Sequence, residues 1–523
     1  MTIIRIVAKL AFVGALWLTG AATAGTLSLD KASYQVGEVI TGTYATDQPN
    51  DLNWLGLYHQ PGNAPVNGSY VGASTEWIYS PGTSGAKTLP TADLPPGHYV
   101  VYYLYNDGYA ALAPPVEFDV VPRQTDQSLA FLAAVIGERN ARAGDAYAGS
   151  VRGGACAATG AMLTYAKSAG PAWLAVAANG DLSGTPAAAD AGDNTFTLTV
   201  SDGNGASATT TLAIRVRAAG EPLADTLRVM SFNAWQGGSH VDAGREKQRR
   251  VMFAGRVDVV GIQEDEAGTG ETLAASLGWY RHAIERNLSI VSRYPIVGDY
   301  RAELGGGVIA IGARVRVAAE PLQEIVVWTT QLAYSPYGPY DACYNDMDAS
   351  QLVTRETQSG RVAATNAILA AMQTQLADSA LTDVFLTGDF NAPSHLDWTE
   401  ATSASHCGKG AVSWPATLAI EQAGLVDTYR AKHPDPATDA GNTWSPVRPA
   451  ASEPQDRIDY VFHAGDDWHV DDAQTLVLGT PAAMPNVQSN EWPSDHAAVV
   501  TTFVYAPPGD VIFADSFDGA GER

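Results

Sequence analysis

Cysteine is scarce, with three in 523 residues, which excludes a disulfide-dense scaffold and leaves material for one bridge and a spare thiol. Positive charge is scarce as well. The chain carries 31 Lys+Arg against 56 Asp+Glu, a net charge of −25. Such an excess favours solubility and disfavours broad clamping of nucleic acid or an anionic membrane. Long apolar runs are missing beyond one short stretch near the N-terminus, so no segment reaches the roughly 20 residues that span a bilayer. What is present is a hydrophobic content of 46%, enough for several buried cores and too much for a disordered chain. The length suggests three or four domains. The 51 Gly and 29 Pro, among many Thr, Ser and Val, point to turn-rich β structure.

The short apolar stretch, Leu10 to Leu18, follows Arg5 and Lys9 and precedes Ala22-Thr23-Ala24. A positive region, a brief apolar run and a small-residue cleavage site make an export signal. Residues 1–24 are expected to be removed near Ala24, leaving a secreted or periplasmic protein with no stable membrane anchor. Its surroundings would be oxidising.

Residues 25–122 contain short β-prone runs, among them Val39-Ile-Thr-Gly-Thr-Tyr, Trp54-Leu-Gly-Leu-Tyr and Tyr99-Val-Val-Tyr-Tyr, separated by Pro- and Gly-rich turns. This pattern predicts an immunoglobulin-like β-sandwich. Its aromatic residues Trp54, Tyr58, Tyr99, Tyr102 and Tyr103 are ordinary strand formers and are assigned to core and edge packing, a carbohydrate- or lipid-facing platform being the alternative. Residues 123–217 hold Asn179-Gly-Asp-Leu-Ser-Gly-Thr-Pro, Asp193-Asn-Thr-Phe-Thr-Leu-Thr-Val and Ser201-Asp-Gly-Asn-Gly. These resemble immunoglobulin-like and cadherin-like repeats of secreted bacterial proteins. Asp181, Asp193, Asp202 and Asn204 read as turn formers, with Ca²⁺ ligation the alternative. The sandwiches would bind a surface glycan, a lipid or a protein.

Ala218-Ala-Gly-Glu-Pro is a linker, after which apolar strands alternate with helical periods. Strand-like runs end at Asn233, Gln263-Glu264, Gln331 and Asp389-Phe-Asn391, and others hold Asp459 and Asp495-His496. Polar side chains at one edge of a sheet can converge on a pocket. This set suits hydrolysis of a phosphate ester. Glu264 and Asn233 offer oxygen ligands to a hard cation such as Mg²⁺, which polarises phosphoryl oxygens. Asp389 is a candidate base for the attacking water. Asn391 and a protonated His496 can donate to developing negative charge, with Asp459 behind the imidazole.

Asn233, Gln263-Glu264, Gly388-Asp389-Phe390-Asn391, Arg457-Ile-Asp459-Tyr and Ser494-Asp495-His496, in that order, resemble the motifs of the endonuclease/exonuclease/phosphatase superfamily with the DNase-I-like fold. The resemblance runs from Leu227 to Val504, within a domain bounded at 225–505. It implies a four-layer α/β sandwich, a divalent metal (Mg²⁺ or Mn²⁺) and in-line attack of water on phosphorus. Glu264 and Asn233 would then be metal ligands, and Asp495 a ligand of a second metal. Asp389 would be the base, with His496 the competing choice. Asn391 would position the phosphate and Asp459 would orient His496. The fold class is thus multidomain: two all-β immunoglobulin-like sandwiches, then the α/β sandwich. One position departs. Many members carry His where this chain has Gln331, and an amide cannot carry a proton's charge.

The aromatic stretch Tyr334 to Tyr344 follows Gln331 and reads as a loop, either a wall of the substrate site or a rigid surface segment. Cys343 and Cys407, both read as loop residues, are expected to pair in an oxidising compartment, leaving Cys156 unpaired. Arg245, Lys247, Arg249 and Arg250 read as the solvated face of a helix or a contact for a phosphate backbone. The tail 506–523 is either a sorting-type motif or a frayed acidic end. From Leu227 to Val504 there are 19 Lys+Arg against 34 Asp+Glu, a balance of −15, adverse to a polyanion. Three readings follow: a secreted metal-dependent phosphoesterase on a small ester or lipid headgroup, an extracellular nuclease on the same core, and a non-catalytic adhesion protein.

Overall fold

The computed structural model describes residues 25–35, 39–60, 62–90, 94, 97–121, 129–157, 162–284 and 287–507. The export signal and the C-terminal motif from Gly509 lie outside the described residues. The chain falls into two compact units. The first is drawn from Thr41–Leu89 and Val100–Val116 with the segment before Lys31, the second from Glu117 onward with Lys31–Ile40 and Pro90–Tyr99.

In the first unit, residues Thr26 to Leu29 pair antiparallel with Gly42 to Ala45, and Trp54–His59 pairs antiparallel with Glu76–Tyr79. Trp54, Tyr58 and Tyr103 are buried, as is Tyr99 of the second unit, and Tyr102 is half-buried, as expected of core and edge residues.

In the second unit, residues 130–217 form a β region around a hairpin of Gly192–Ser201 and Ser207–Arg217. Phe196, Leu198, Val200, Leu212 and Ile214 alternate into its core with the period of two that a half-buried strand shows. The acidic residues here belong to turns and ion pairs. Asp202 Oδ1 accepts from the backbone N–H of Asn204 and Ala206, Asp181 binds Arg152, and Asp193 faces Arg215 at 3.6 Å. These contacts accord with the turn-forming reading of the acidic residues.

The α/β part begins with β1 (Thr226–Asn233), α1 (Gly244–Ala254), β2 (Val259–Gln263), α2 (Thr269–Leu277), β3 (Tyr280–Ile284) and β4 (Leu288–Ser292). It continues with β5 (Ile296–Leu304), β6 (Gly307–Ala319), β7 (Leu322–Gln331), α3 (Gly338–Tyr344), α4 (Ala349–Gln358), α5 (Arg361–Ala377) and β8 (Val384–Asp389). The last elements are α6 (Pro415–Gln422), β9 (Val426–Asp427), α7 (Thr428–Lys432), β10 (Asp459–Ala464), β11 (Trp468–Leu476) and β12 (Ala498–Tyr505). Two six-stranded sheets result, ordered β3-β4-β2-β1-β12-β11 and β5-β6-β7-β8-β10-β9. Both mix parallel and antiparallel pairs.

Their inner faces share one apolar core, in which Val229, Val259 and Phe503 meet Val315, Val327 and Phe385. The outer face of the first sheet packs on Val251, Met252 and Leu273 of α1 and α2, and that of the second on Ile368, Met372 and Ile420 of α5 and α6. Central strands covered on both faces read as continuous apolar runs, which is why Val-Val-Gly-Ile in β2 does not alternate. Gly261 leaves no room for a side chain between the sheets: a Cβ there would lie 2.0 Å from Thr387 Oγ1 and 2.6 Å from Thr329 Oγ1. Beside it, Gln263 donates across the gap to Thr329 Oγ1 at 2.8 Å.

Two expectations are corrected. Cys343 lies in the short helix α3 rather than in a loop, where Pro339 can start a helical turn. The basic cluster of α1 is neither a solvated face nor a phosphate contact, except at exposed Arg245. Lys247 is buried and donates to the Asn490 carbonyl at 2.7 Å, Arg249 reaches the carbonyls of Gly153 and Ala155, and Arg250 pairs with Glu246 and Glu491. Asp459 is the first residue of β10, and His496 precedes the start of β12 by two residues. Both strands run antiparallel to a neighbour, so their beginnings lie beside the neighbours' ends.

Candidate active site

Strand register does most of the assembly. β1 and β2 are parallel with Asn233 opposite Gln263, and β7 and β8 are parallel with Gln331 opposite Asp389. In the antiparallel pair β8/β10, Asp389 lies opposite Asp459. Two further strand ends therefore deliver Glu264, one residue past β2, and His496, two residues before β12. Glu264, Gln331, Asp389 and His496 line a cleft of about 400 Å³ whose walls include Trp235, Gln236, Leu332, Tyr334 and Trp444, with Asn233, Gln263 and Asp459 buried behind it.

Hydrogen bonds tie the cleft into one network. Asn233 Nδ2 donates to Glu264 Oε1 and Asp389 Oδ2, each at 3.1 Å. Gln331 Nε2 donates to the same two oxygens at 3.0 and 3.5 Å. The amide in the departing position thus bridges two carboxylates. Asn391 donates to Asp389 twice, from its backbone and its side chain, each at 2.9 Å. Its left-handed φ of 48°, and that of Glu264 at 54°, place non-glycine residues in an uncommon backbone region at the centre of the site.

Asp459 Oδ2 accepts from His496 Nδ1 at 2.8 Å, and His496 Nε2 stands 4.0 Å from Asp389 Oδ2. Burial alone would lower the basicity of His496. Asp459 and Asp389 outweigh it, so the imidazole is raised well above its ordinary value. Burial pushes Asp389 up to about 7, opposed by His496 and reinforced by Asp459. Burial likewise pushes Asp495 up to about 6, with Glu264 adding to the rise against His496.

The donor set fits a hard divalent cation. Glu264, Asp389 and Asp495 face one cleft, and Asp495 Oδ1 is buried with no hydrogen-bond partner. The Asp459 Oδ1 is similarly unpartnered. Asp389, Asp459 and His496 bring ligand atoms within 4.8 Å of one another. Carboxylates crowded in this way lower their mutual repulsion by gathering positive charge, and oxygen ligands suit Mg²⁺ or Mn²⁺.

The family model described as endonuclease/exonuclease/phosphatase matches residues 230–496. The chain belongs to this family. Its members are hydrolases of phosphate esters that typically depend on a divalent metal. A second model, described as Putative Ig domain, matches residues 130–217. An uncharacterized protein of Caenorhabditis elegans is 32% identical over 296 residues, 53% of this chain and 91% of its own length. A 3'-5' exonuclease from Neisseria meningitidis aligns over 53% of this chain and all of its own at 18% identity and a TM-score of 0.35. An AP endonuclease from Archaeoglobus fulgidus aligns over 53% and 99% at 13% identity and a TM-score of 0.36. Among the described residues no helix is long and apolar enough to cross a membrane.

All eight sequence-predicted positions (Asn233, Glu264, Gln331, Asp389, Asn391, Asp459, Asp495 and His496) meet in this region. Cys343 and Cys407 form a disulfide with Cα atoms 5.2 Å apart, and Cys156 is buried and free. Of the aromatic stretch, Tyr334 lines the cleft while Tyr337 turns inward to donate to Asp456 at 3.1 Å. Some residues gave no sequence signal. Trp444, from the long segment before β10, packs its ring 4.9 Å from His496, and Thr443 Oγ1 accepts from the backbone N–H of Ile458 and Asp459. The backbone N–H of Gln236 donates to Glu264 Oε2 at 2.7 Å. Arg457, quoted within a motif but given no role, is buried between Asp397 and Asp427 and anchors the start of β10.

Proposed function

We propose that this chain is an exported, divalent-metal-dependent phosphoesterase of small substrates, a phosphomonoester or phosphodiester including a lipid headgroup. It would work through a four-layer DNase-I-like sandwich carried behind two immunoglobulin-like sandwiches. The observation that carries the small-substrate reading is the cleft wall, whose described residues include three carboxylates and no Lys or Arg. A polyanion gains its affinity from several cations along its backbone, whereas a single phosphoryl group needs one metal and a few donors.

Glu264 and Asn233, with Asp495, would hold the metal, which when bound supplies Lewis-acid polarisation of a phosphoryl oxygen. Asp389 accepts a proton from the attacking water, or orients it. Asn391 and Asn233 hold that carboxylate in place. His496, kept protonated by Asp459, donates to a phosphoryl oxygen as charge develops. Gln331 restrains Glu264 and Asp389 by hydrogen bonds from a neutral amide, so this site relies more on metal and imidazolium charge than one with His in that position.

Purified protein with Mg²⁺ or Mn²⁺, tested side by side on a chromogenic phosphodiester, a phosphomonoester, sphingomyelin and supercoiled plasmid, decides the substrate class. Hydrolysis of a small ester or the lipid with intact plasmid supports the proposal. Nicked plasmid at low enzyme would favour the nuclease, and no hydrolysis of any probe would favour a non-catalytic binding protein.

A further inference from the structure

The first unit carries an aromatic surface that the chemistry of the cleft does not use. Period-two alternation sends Leu55, Leu57 and Ile78 to one face of the hairpin Trp54–His59/Glu76–Tyr79, and Trp54, Gly56, Tyr58, Trp77 and Tyr79 to the other. In the register, Trp54 stands opposite Tyr79 and Gly56 opposite Trp77. A Cβ at Gly56 would lie 2.5 Å from the Trp54 ring and 3.0 Å from that of Tyr58, so glycine is what lets these rings close over the strand. The result is a floor of Trp54 and Tyr58, both buried.

A second tier of rings lies on this floor. Trp77 meets Trp54 edge-on at 6.5 Å and Tyr79 at 5.0 Å, Tyr109 meets Trp54 at 5.9 Å, and Tyr70 meets Tyr109 at 5.3 Å. Three of these outer rings are open to solvent, Tyr70 at 58%, Trp77 at 54% and Tyr79 at 37%, and Tyr109 is half-buried between them and the floor. The surface is also held in shape. Trp54 Nε1 donates to the Gly108 carbonyl at 3.1 Å, fixing the loop that presents Tyr109, and Tyr79 donates to Asp107 at 2.9 Å. An outward sheet face normally carries polar residues, and a contiguous apolar patch of this kind marks an interaction site.

Charge selects the occupant. Thr41–Leu89 and Val100–Val116 hold four carboxylates, Asp47, Asp51, Glu76 and Asp107, against one cation, Lys87. A phosphate-bearing surface or an acidic polysaccharide would be repelled. An uncharged ligand with C–H faces to lie on rings, and hydroxyls to meet phenols, amides and carboxylates at their rim, is matched on both counts. We infer that this face binds a neutral glycan chain through stacking of its sugar rings on Trp77, Tyr70 and Tyr109.

The test is affinity electrophoresis of the full-length protein through gels containing hydroxyethyl cellulose, galactomannan, arabinoxylan or soluble starch, with pull-down on microcrystalline cellulose and chitin. Retention by at least one neutral glycan is expected. Trp77→Ala or Tyr70→Ala should weaken it at least tenfold, and Trp77→Phe should restore part of it, with the thermal midpoint and hydrolysis of a small ester unchanged. Retention by none of these probes, equal retention of the alanine variants, or retention only by phosphatidylcholine vesicles or an acidic polysaccharide would overturn the inference.

Discussion

Glu264 illustrates how much one side chain carries. It receives donors from Asn233, Gln331 and the backbone of Gln236, an arrangement that fixes both carboxylate oxygens before any cation arrives. Glu264→Gln should keep the fold, weaken Mn²⁺ binding measured by calorimetry at least about tenfold, and lower kcat by about 100-fold or more, as loss of a charge-stabilising group does. A different logic governs Asp456 and His406, which approach to 3.9 Å beside the disulfide. Burial pushes Asp456 up to about 7, against donors from Trp398 and Tyr337, and burial pushes His406 down to about 4. Between those values the pair is a contact of neutral groups, not an ion pair. The folded state holds the Asp456 proton more tightly than the unfolded chain. Its stabilising contribution is therefore complete below pH about 4 and is lost as pH rises through about 7, at about 1.4 kcal/mol per pH unit inside that window. Relative to Asp456→Asn, the natural protein should become less stable between pH 4 and 8 by denaturant titration. A constant difference would show that Asp456 is charged in the fold.

Among elements, the packing of the two sheets at Gly261 and the Cys343–Cys407 disulfide each make a testable contribution to stability. Gly261→Ala would drive a methyl group into Thr387 and Thr329 at the sheet interface. Overpacking of this kind costs about 1–3 kcal/mol, and because β2 ends at Gln263, activity should fall along with the denaturation midpoint. The disulfide joins α3 to the segment after Ser405 and closes a loop of 64 residues. Replacing Cys343 and Cys407 together by Ser should lower stability by about 2–4 kcal/mol, read as a shift in the urea midpoint. The same elements show where the sequence could be read. Long two-face-buried strands such as β7 and β8, and the helix α5, were legible from apolar runs and helical period. The short helix α3 was not, since seven residues rich in Tyr and Pro carry no period. The roles in α1 were also hidden: a row of basic residues looks solvated until the carbonyls of Gly153, Ala155 and Asn490 are placed against it.

At the scale of the molecule, the second β region and the α/β part form one compact unit. Phe253 of α1 packs against the core of residues 130–217, and half-buried Arg293 lies between Glu138 and Asp258. A fragment beginning at Ala218 should hydrolyse a small ester with kcat near that of the full protein. Exposing such side chains should cost it about 1–3 kcal/mol, detected as an earlier urea transition. Unchanged stability would mean that the β region is a passenger.

The sequence by itself determined the order of motifs, hence the family, the reaction class and the list of polar residues at strand ends. Those follow from residue types at fixed positions along a strand, which need no partner to be recognised. Only the tertiary structure decided that Gln331 bridges two carboxylates, that Trp444 and Arg457 support the imidazole and its orienting acid, and that the rings left exposed include Trp77, Tyr70 and Tyr79 while Trp54 and Tyr58 beneath them are buried. Each of these depends on which strand lies beside which and on what covers a face, and that information is carried by pairing across the fold, not by any local stretch of chain.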